Sequence, residues 1–176
     1  MAERTFVIIK PDAVVRGLMG EIISRFERKS LKIVGLKMAK MKRKQLEDLY
    51  SHILGKPFTE EYFAFMKKTP VILGVVEGLN VIEVVRKMCG VTNCREAEPS
   101  TIRGIYGVGN RMNLIHASDS AATAEGEIGM FFKNSELYDY KTPMMPLIYS
   151  DEEIAEMVSK KAPAGRPRKI PGKEDE

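Results

Sequence analysis

The sequence predicts an α+β sandwich, in which helices cover one four-stranded, mainly antiparallel sheet. Four short apolar runs have the length of strands, and the stretches between them repeat apolar residues at helical spacing. Their order along the chain is β-α-β-α-α-β-α-β-α, which is typical of helices packed on an antiparallel sheet. The chain has 176 residues, enough for one domain with a substantial core, or for a domain and a tail.

The first half of the chain begins with a buried strand. RTFVIIK is a continuous apolar run that Pro11 stops. GLMGEIISRFERKS repeats an apolar residue every four positions, which predicts an amphipathic helix. KIVGLKMAKM reads as the second strand. Two short helices are expected in KRKQLEDLYSHI and TEEYFAFMKK, the latter with Thr59 as its N-cap.

The second half supplies the other two strands. VILGVVE predicts a buried strand, and Asn80 can cap a following helix that ends at Gly90. Residues 91–111 are expected to form a long ordered loop. NLIHA predicts the fourth strand, and Ser120 is the expected N-cap of the last helix of the domain.

The character of the chain changes near Pro143, so we expect a domain at 1–142 and a partly flexible extension at 143–176. The extension contains PMMP, a short helical DEEIAEMVSKK and the tail APAGRPRKIPGKEDE. The basic part of that tail is similar to a minor-groove-binding motif built around Gly-Arg-Pro. A solvated, flexible terminus is the favoured interpretation.

Composition gives only broad limits. The net charge is +4 and the pI about 9.0, compatible with anionic substrates or nucleic acid but requiring neither. Two cysteines, Cys89 and Cys94, form no disulfide framework and favour a reducing compartment. The apolar run near the start is too short for the signal sequence of a secreted protein, and no stretch is long enough to cross a bilayer, so we expect neither. We therefore expect a cytoplasmic protein that does not bind membranes.

The usual nucleotide and metal motifs are missing. There is no GxxxxGK[ST] phosphate loop and no GxGxxG after a strand. GIYGVGN has its glycines in another order, and the two cysteines lack further zinc ligands. The sequence therefore predicts no metal held by protein side chains.

His116 is the strongest candidate for chemistry. A lone histidine at a strand end is often only a core residue. Here small and polar residues follow it, including Ser118, and Glu127 lies in the next helix, where its carboxylate could orient the imidazole. A neutral imidazole held in this way is a competent nucleophile toward phosphorus.

Cations and hydroxyls that could bind phosphate are spread along the chain. Lys10 ends the first strand, Arg86 lies on the helix after the third strand, and Thr92 and Arg103 lie in the long loop. Each could equally be a solvated surface group. Spacing alone does not show that they converge.

NLIHASDS matches the N-x-x-H-[GA]-S-D signature of nucleoside diphosphate kinases, and the chain resembles that family over residues 4–142. The other segments that carry the resemblance, in the family's order, are RTFVIIKPDAVVRGLMGEIISRFE, KPF, VVEGLNVIEVVRKMCGVTN, PSTIRG and YKTPM. The resemblance implies a ferredoxin-like α+β sandwich. It also implies transfer of the γ-phosphoryl group of a nucleoside triphosphate to a nucleoside diphosphate, by a ping-pong mechanism.

The resemblance assigns a role to each matched position. His116 would carry the phosphoryl group, while Glu127 and Ser118 would hold and polarise its ring. Lys10 and Asn113 would contact the ribose hydroxyl, and Lys10 and Tyr50 would lie at the transferring phosphate. Arg86, Thr92 and Arg103 would bind the β- and γ-phosphates. Phe58 would stack against the base. Mg²⁺ would arrive on the nucleotide phosphates.

Three positions depart from the family pattern. His52 lies one residue from the family's second histidine, whose place Ile53 takes, and we assign His52 no catalytic role. Tyr62 stands where an aliphatic residue usually meets the base. Ile105 replaces an acidic loop residue, which bears on loop packing or subunit contacts.

Two other function classes are compatible with the sequence. A nucleic-acid-binding module related to RNA-recognition domains is disfavoured, because FVIIK and VILGVVE lack paired aromatics. A catalytically inactive homologue that acts as a scaffold would be expected to lose His116 or its phosphate ligands, yet all matched positions are present. The resemblance further implies a homo-oligomer, usually a hexamer.

Overall fold

The computed structural model describes residues 3–159. Four strands form one antiparallel sheet in the order β2-β3-β1-β4. Their bounds are β1 Glu3–Ile9, β2 Lys32–Ala39, β3 Val71–Gly78 and β4 Ile115–Ala117. Helices cover both faces of the sheet, so the predicted α+β sandwich is confirmed.

The described α-helices are numbered in chain order. Their bounds are α1 Pro11–Val15, α2 Met19–Arg28, α3 Arg43–Leu49, α4 Thr59–Lys67, α5 Val81–Cys89, α6 Ile102–Tyr106, α7 Ala121–Phe131, α8 Met145–Ile148 and α9 Asp151–Ser159. Short 3-10 helices lie at Ser51–Ile53 and Asn134–Glu136. In the described part of the chain, no helix is long and apolar enough to cross a membrane.

The two faces of the sheet bury separate cores. On β1, Phe6 and Ile8 point to the face that α3, α4 and α7 cover. Val7 and Ile9 point to the opposite face, which α1, α2, α5 and α6 cover. This alternation is the period of a strand, and burial on both sides explains why β1 and β3 are continuous apolar runs.

The structure corrects four local predictions. Thr59 does not cap α4: Phe58 occupies the N-cap position, and the Thr59 hydroxyl donates to the carbonyl oxygen of Ile53. Asn80 occupies the N-cap position of α5 but accepts no capping hydrogen bond through its side chain. α1 was not predicted, and α6 lies inside the segment expected to be a loop.

Other local predictions are confirmed. α5 ends before Gly90, which has a φ of 81°, a conformation that glycine adopts without steric cost. Ser120 caps α7, with its hydroxyl oxygen accepting from the Thr123 amide. The tail APAGRPRKIPGKEDE lies outside the described residues.

Candidate active site

The backbone turns sharply just before β4. Leu114 is completely buried and has a φ of 71°, a conformation that costs a non-glycine residue about 1–3 kcal/mol. Its amide donates to Asp12 Oδ2 at 3.0 Å, and its carbonyl oxygen accepts from the Lys10 amide at 2.8 Å. These bonds hold the turn, after which Ile115 and His116 point to opposite faces of the sheet.

His116 is the central residue of β4 and pairs with Ile8 of β1. Its ring packs edge-on against Phe6 at a centroid distance of 6.1 Å. The side chain keeps 18% of its surface exposed. The imidazole is therefore fixed by the sheet and still accessible to a ligand.

Glu127 holds one nitrogen of this imidazole. Its two carboxylate oxygens lie 3.0 and 3.1 Å from His116 Nε2. The Ser118 hydroxyl donates to Glu127 Oε2 at 2.5 Å and accepts from the Phe6 amide at 3.3 Å. A carboxylate facing Nε2 favours a proton on that nitrogen, so Nδ1 keeps its lone pair.

Helix α7 brings Glu127 to this position. The Ser120 cap sets the start of the helix, and Glu127 lies two turns later on the side that faces the sheet. Although its side chain is only 8% exposed, the carboxylate meets both His116 and Ser118. Burial without these donors would be costly for a charged group.

Tyr50 lies next to the imidazole, and Tyr62 lies next to Tyr50. The Tyr50 ring meets the His116 ring edge-on at 5.7 Å and the Tyr62 ring at 5.1 Å. Among the described residues, none accepts or donates a hydrogen bond of ordinary geometry at the buried Tyr50 hydroxyl. Burial, and then the neighbouring Tyr62 phenol, raise the pKa of Tyr50 well above its ordinary value. The hydroxyl therefore stays protonated and can donate to a ligand.

Lys10 is a buried ammonium group with no carboxylate partner in the part of the chain that the structure describes. It is only 5% exposed, donates to Asn113 Oδ1 at 2.6 Å and lies 5.4 Å from the centre of the Tyr62 ring. Buried charges are ordinarily paired. Its positive charge is therefore available to an anion.

Asn113 connects Lys10 to the loop. Its amide nitrogen donates to the carbonyl oxygens of Thr92 and Asn110, at 3.0 and 2.9 Å. The side chain is 3% exposed, and both amide hydrogens are used. Its Oδ1 accepts from the ammonium group of Lys10.

Arg103 braces the segment between α5 and β4. Its guanidinium donates to the carbonyl oxygens of Gly90 at 2.6 Å, Ile115 at 2.6 Å and Asn113 at 3.2 Å. A guanidinium has five N–H groups, so about two remain for a ligand. Sequence reasoning gave Arg103 a phosphate contact and missed this second, structural contribution.

Arg86 and Thr92 lie farther out. Both are exposed, and Arg86 forms no side-chain hydrogen bond or ion pair with the described residues. Arg86 lines an open groove of about 920 Å³ with Thr101 and Asp119, and His116 is not part of its wall. Convergence of Arg86 and Thr92 on the imidazole therefore requires a ligand that reaches from one to the other.

Phe58 lies at the start of α4, half-buried against the core. The guanidinium carbon of Arg111 lies 4.3 Å from the centre of its ring. Arg111 also meets Glu61 at 3.4 Å. This contact was not predicted, and nothing in the local sequence pattern points to it.

The predicted residues thus form one connected group and a periphery. The connected group is His116, Glu127, Ser118, Tyr50, Lys10, Asn113 and Arg103, with Tyr62 as the link between Tyr50 and Lys10. Phe58, Arg86 and Thr92 stand around it. Asp12 also belongs to the site through its bond to the Leu114 amide, which was not predicted. The contacts of Tyr62 with Tyr50 and Lys10 were not predicted either.

The chain is similar to known proteins of one family. The family model described as nucleoside diphosphate kinase matches residues 3–137. The chain is 56% identical over 141 residues to the nucleoside diphosphate kinase of Pyrococcus furiosus, covering 78% of this chain and 88% of the relative. It is 52% identical over 137 residues to that of Saccharolobus solfataricus, covering 78% and 99%.

Solved structures give the same result. A halophilic nucleoside diphosphate kinase from Halobacterium salinarum, in complex with CDP, has a TM-score of 0.82 and 39% identity, covering 85% of this chain and 99% of that one. A transition-state mimic of the Borrelia burgdorferi enzyme, with bound vanadate and ADP, has a TM-score of 0.76 and 37% identity, covering 81% and 94%.

Proposed function

The chain belongs to the nucleoside diphosphate kinase family, and we propose that Nδ1 of His116 is the atom that carries the phosphoryl group in its reaction. The enzyme transfers the terminal phosphoryl group of a nucleoside triphosphate to a nucleoside diphosphate. The observation that supports the assignment is the contact of His116 Nε2 with Glu127, which leaves Nδ1 as the nitrogen with a free lone pair.

The reaction has two balanced half-steps. His116 Nδ1 attacks the γ-phosphorus in line, the new N–P bond forms, and the bond from the γ-phosphorus to the β,γ-bridging oxygen breaks. The nucleoside diphosphate leaves with that oxygen. A terminal oxygen of the second nucleoside diphosphate then attacks the same phosphorus, and the N–P bond breaks.

Glu127 and Ser118 orient the ring through both half-steps. The Nε2 proton stays on the imidazole, and the Glu127 carboxylate stabilises the positive charge that develops when Nδ1 forms its bond. Ser118 holds the carboxylate in place through its 2.5 Å hydrogen bond. Tyr50, whose ring lies beside the imidazole and whose hydroxyl stays protonated, donates to an oxygen of the transferring group.

Cations neutralise the phosphates. Lys10 carries an ammonium group held by Asn113 and Tyr62, and it contacts the transferring phosphate and the ribose hydroxyl. Arg86, Arg103 and Thr92 bind the β- and γ-phosphates, stabilising charge on the equatorial oxygens during transfer. Asn113 acts on the ribose hydroxyl chiefly through its contact with Lys10.

The base stacks on Phe58. Stacking uses the face of an aromatic ring and tolerates any base, which suits an enzyme that accepts purines and pyrimidines, ribo and deoxy alike. The Tyr62 ring packs against Tyr50 and lies beside Lys10. Its effect is therefore on the phosphate end of the nucleotide rather than on base preference.

Mg²⁺ is bound through the nucleotide phosphates in this proposal. The described residues contain no group of three or more potential metal ligands, and the groups facing the phosphates are cations and hydroxyls. This donor set fits an ion that enters with its nucleotide and keeps several waters. When bound, Mg²⁺ neutralises negative charge on the phosphate oxygens.

Assembly and location extend the proposal. We expect a homo-oligomer, and a hexamer is the size that the resemblance implies. Supporting this, the edge strand β2 exposes Leu36 and Met38 at 50% and 55%, as a strand covered by a second copy would. A cytoplasmic location fits the two buried free thiols Cys89 and Cys94. Sedimentation and cell fractionation test these two statements.

The decisive experiment follows the phosphoryl group. The protein is mixed with ATP labelled on the γ-phosphate, and the label is expected on the chain as an acid-labile, alkali-stable adduct. Addition of GDP should move it to GTP. Alkaline digestion should release the isomer phosphorylated at Nδ1.

The two histidines of the chain provide a matched pair of variants. His116→Ala should abolish the adduct, and His52→Ala, which removes an exposed ring, should leave it unchanged. Folded wild-type protein without label would support the inactive scaffold instead. Recovery of the isomer phosphorylated at Nε2 would overturn the assignment of Nδ1, but not the proposal that His116 carries the phosphoryl group.

A further inference from the structure

Arg111 covers the ring on which the base is expected to stack. Its guanidinium carbon lies 4.3 Å from the centre of the Phe58 ring, which is a contact distance for a planar cation over an aromatic face. No phosphate role or other function has been given to this arginine. Its position makes it either an obstacle to the base or a partner of it.

The attachment of Arg111 is weak enough to allow movement. Among the described residues its ion-pair partner is Glu61 at 3.4 Å, and the two side chains are 47% and 64% exposed. Exposed ion pairs of this length contribute little to stability. The residue also lies between α6 and β4, outside any helix or strand, so its backbone is not held by a regular element.

We propose that Arg111 forms the second face of the base site, so that a nucleobase is held between the Phe58 ring and the Arg111 guanidinium. To admit the base, the guanidinium moves outward by the thickness of one ring, about 3.5 Å. It then stacks on the other side of the base, as guanidinium groups stack on aromatic faces. This inference rests on the proposed binding of the base at Phe58.

A clamp of this kind has a defined chemical consequence. The guanidinium interacts with the π-face of the base and not with its edge, so all bases are accepted. A purine offers a larger face than a pyrimidine, so purines gain more from the clamp. Removal of Arg111 should therefore weaken nucleotide binding without changing the chemistry at His116.

The test compares nucleotides with and without a base. In Arg111→Ala, we expect the KM for ATP in phosphohistidine formation to rise about 5- to 30-fold, with a smaller rise for CTP. The limiting rate should change far less than KM. With ribose 5′-triphosphate, which has no base, the KM of the variant should stay within about twofold of wild type.

Two further variants separate charge from planarity and from general effects. Arg111→Lys keeps the charge but loses the planar stack, and it should behave nearly as Arg111→Ala does. Arg28→Ala removes an exposed arginine at the end of α2, on the face of the sheet opposite α4, and should have no effect on KM.

Each other outcome overturns the proposal. A lower KM for ATP in Arg111→Ala would make Arg111 an obstacle, and an unchanged KM would make it a surface residue. ADP affinity by calorimetry separates this failure from failure of the proposed function, because it requires no turnover. If Phe58→Ala leaves ADP affinity unchanged, the base does not stack on Phe58 and the proposed base site is wrong. If Phe58→Ala weakens ADP binding but Arg111→Ala leaves it unchanged, only the proposed stacking of Arg111 is wrong.

Discussion

The Glu127 carboxylate serves two donors at once, and this explains why a charged group is buried beside a reactive imidazole. Both oxygens face His116 Nε2, and Oε2 also accepts from Ser118. Ser118 in turn accepts from the amide of Phe6 on the central strand β1. The orientation of the imidazole is therefore fixed by the sheet itself.

Glu127→Gln tests this at the scale of a single residue. The amide keeps the shape of the side chain but loses the charge that stabilises a positively charged ring. We expect kcat to fall on the order of 10- to 100-fold, as for other groups that orient an imidazole from behind, with little change in KM. Stopped-flow measurement of phosphohistidine formation checks it.

The control for that variant is Glu125→Gln, an exposed carboxylate on the same helix, which should retain full activity. A Glu127→Gln enzyme with wild-type kcat would show that the carboxylate has no part in holding or polarising the ring. A rise in KM alone would assign Glu127 to nucleotide binding.

For single residues, the sequence predicts a position on a helix or strand better than it predicts a contact between two such elements. The position of Glu127 could be predicted because Ser120 caps α7 and Glu127 lies two helical turns after Ser120. The contacts of Tyr62 with Tyr50 and Lys10 were not predicted, because its ring turns inward from α4. That direction depends on how α3 and α4 pack together, which no local pattern determines.

At the scale of elements, the segment from Gly90 to Asn113 is held by one guanidinium. Arg103 bonds both ends of the segment and the strand that follows. The short α6 that carries Arg103 begins at Ile102, and the Thr101 hydroxyl caps it by accepting from the Gly104 amide. The sequence predicted a loop here because five helical residues are too few for a periodic signal.

Arg103→Ala and Arg86→Ala should therefore differ in stability but not in the direction of their effect on activity. Both variants lose a cation at the phosphates, and we expect kcat/KM to fall on the order of 10²-fold in each. Only Arg103→Ala loses three hydrogen bonds from a charged donor. Its free energy of unfolding should fall by about 2–4 kcal/mol, while Arg86→Ala stays within about 0.5 kcal/mol of wild type.

Urea denaturation of the two variants and wild type measures this difference. Equal stability of Arg103→Ala and Arg86→Ala would show that the bonds from Arg103 to the backbone carbonyls contribute nothing to the folded state. The guanidinium of Arg103 would then act on the nucleotide alone.

The last turn of α5 contains a thiol that makes the fold sensitive to alkali. Burial raises the pKa of Cys89 to about 11, against an ordinary 9.0, and Arg103, Arg86 and Lys10 oppose this by less. The raised pKa favours the neutral thiol in the folded state. Stability is therefore complete below pH 9 and is lost as the pH rises toward 11, because only the unfolded chain ionises readily.

We expect the free energy of unfolding to fall by about 2 kcal/mol between pH 8 and pH 10.5, because this thiol ionises in the unfolded chain first. The magnitude follows from a difference of roughly two pKa units at 1.36 kcal/mol each, most of which is reached by pH 10.5. Cys89→Ala isolates it from other alkaline titrations. The variant should be less stable than wild type at pH 8, because it loses buried contacts. That deficit should shrink by about 2 kcal/mol at pH 10.5; a constant deficit would contradict the assignment.

At the scale of the whole molecule, one face of the sheet carries the catalytic residues and the other face is packed against a separate apolar core. The face under α3, α4 and α7 carries His116, Tyr50 and Glu127, and the opposite face forms a second apolar core. The continuous apolar run of β1 predicted a buried strand but not which helices cover each face. Which face receives the imidazole was not predictable, because it depends on the left-handed turn at Leu114.

The chain beyond the sandwich provides the last prediction. Residues 138–140 bind β2: the Tyr138 amide donates to Val34, and the Tyr140 hydroxyl donates to Ile33. In contrast, α8 and α9 contact each other more than either contacts any other single helix or strand. The family match also ends at residue 137. We therefore propose that the catalytic domain ends by residue 142, as the sequence predicted.

A chain cut after Thr142 should fold and keep its phosphoryl-transfer activity within about twofold, with an unfolding free energy within about 1 kcal/mol of the full chain. A chain cut after Phe132 is the matched control. It also loses the two hydrogen bonds to β2 and the ion pair of Lys32 with Asp139 at 2.6 Å. It should therefore be less stable by several kcal/mol. Loss of activity in the 142-residue chain would show that the extension completes the site, because every residue assigned to the reaction lies before the cut.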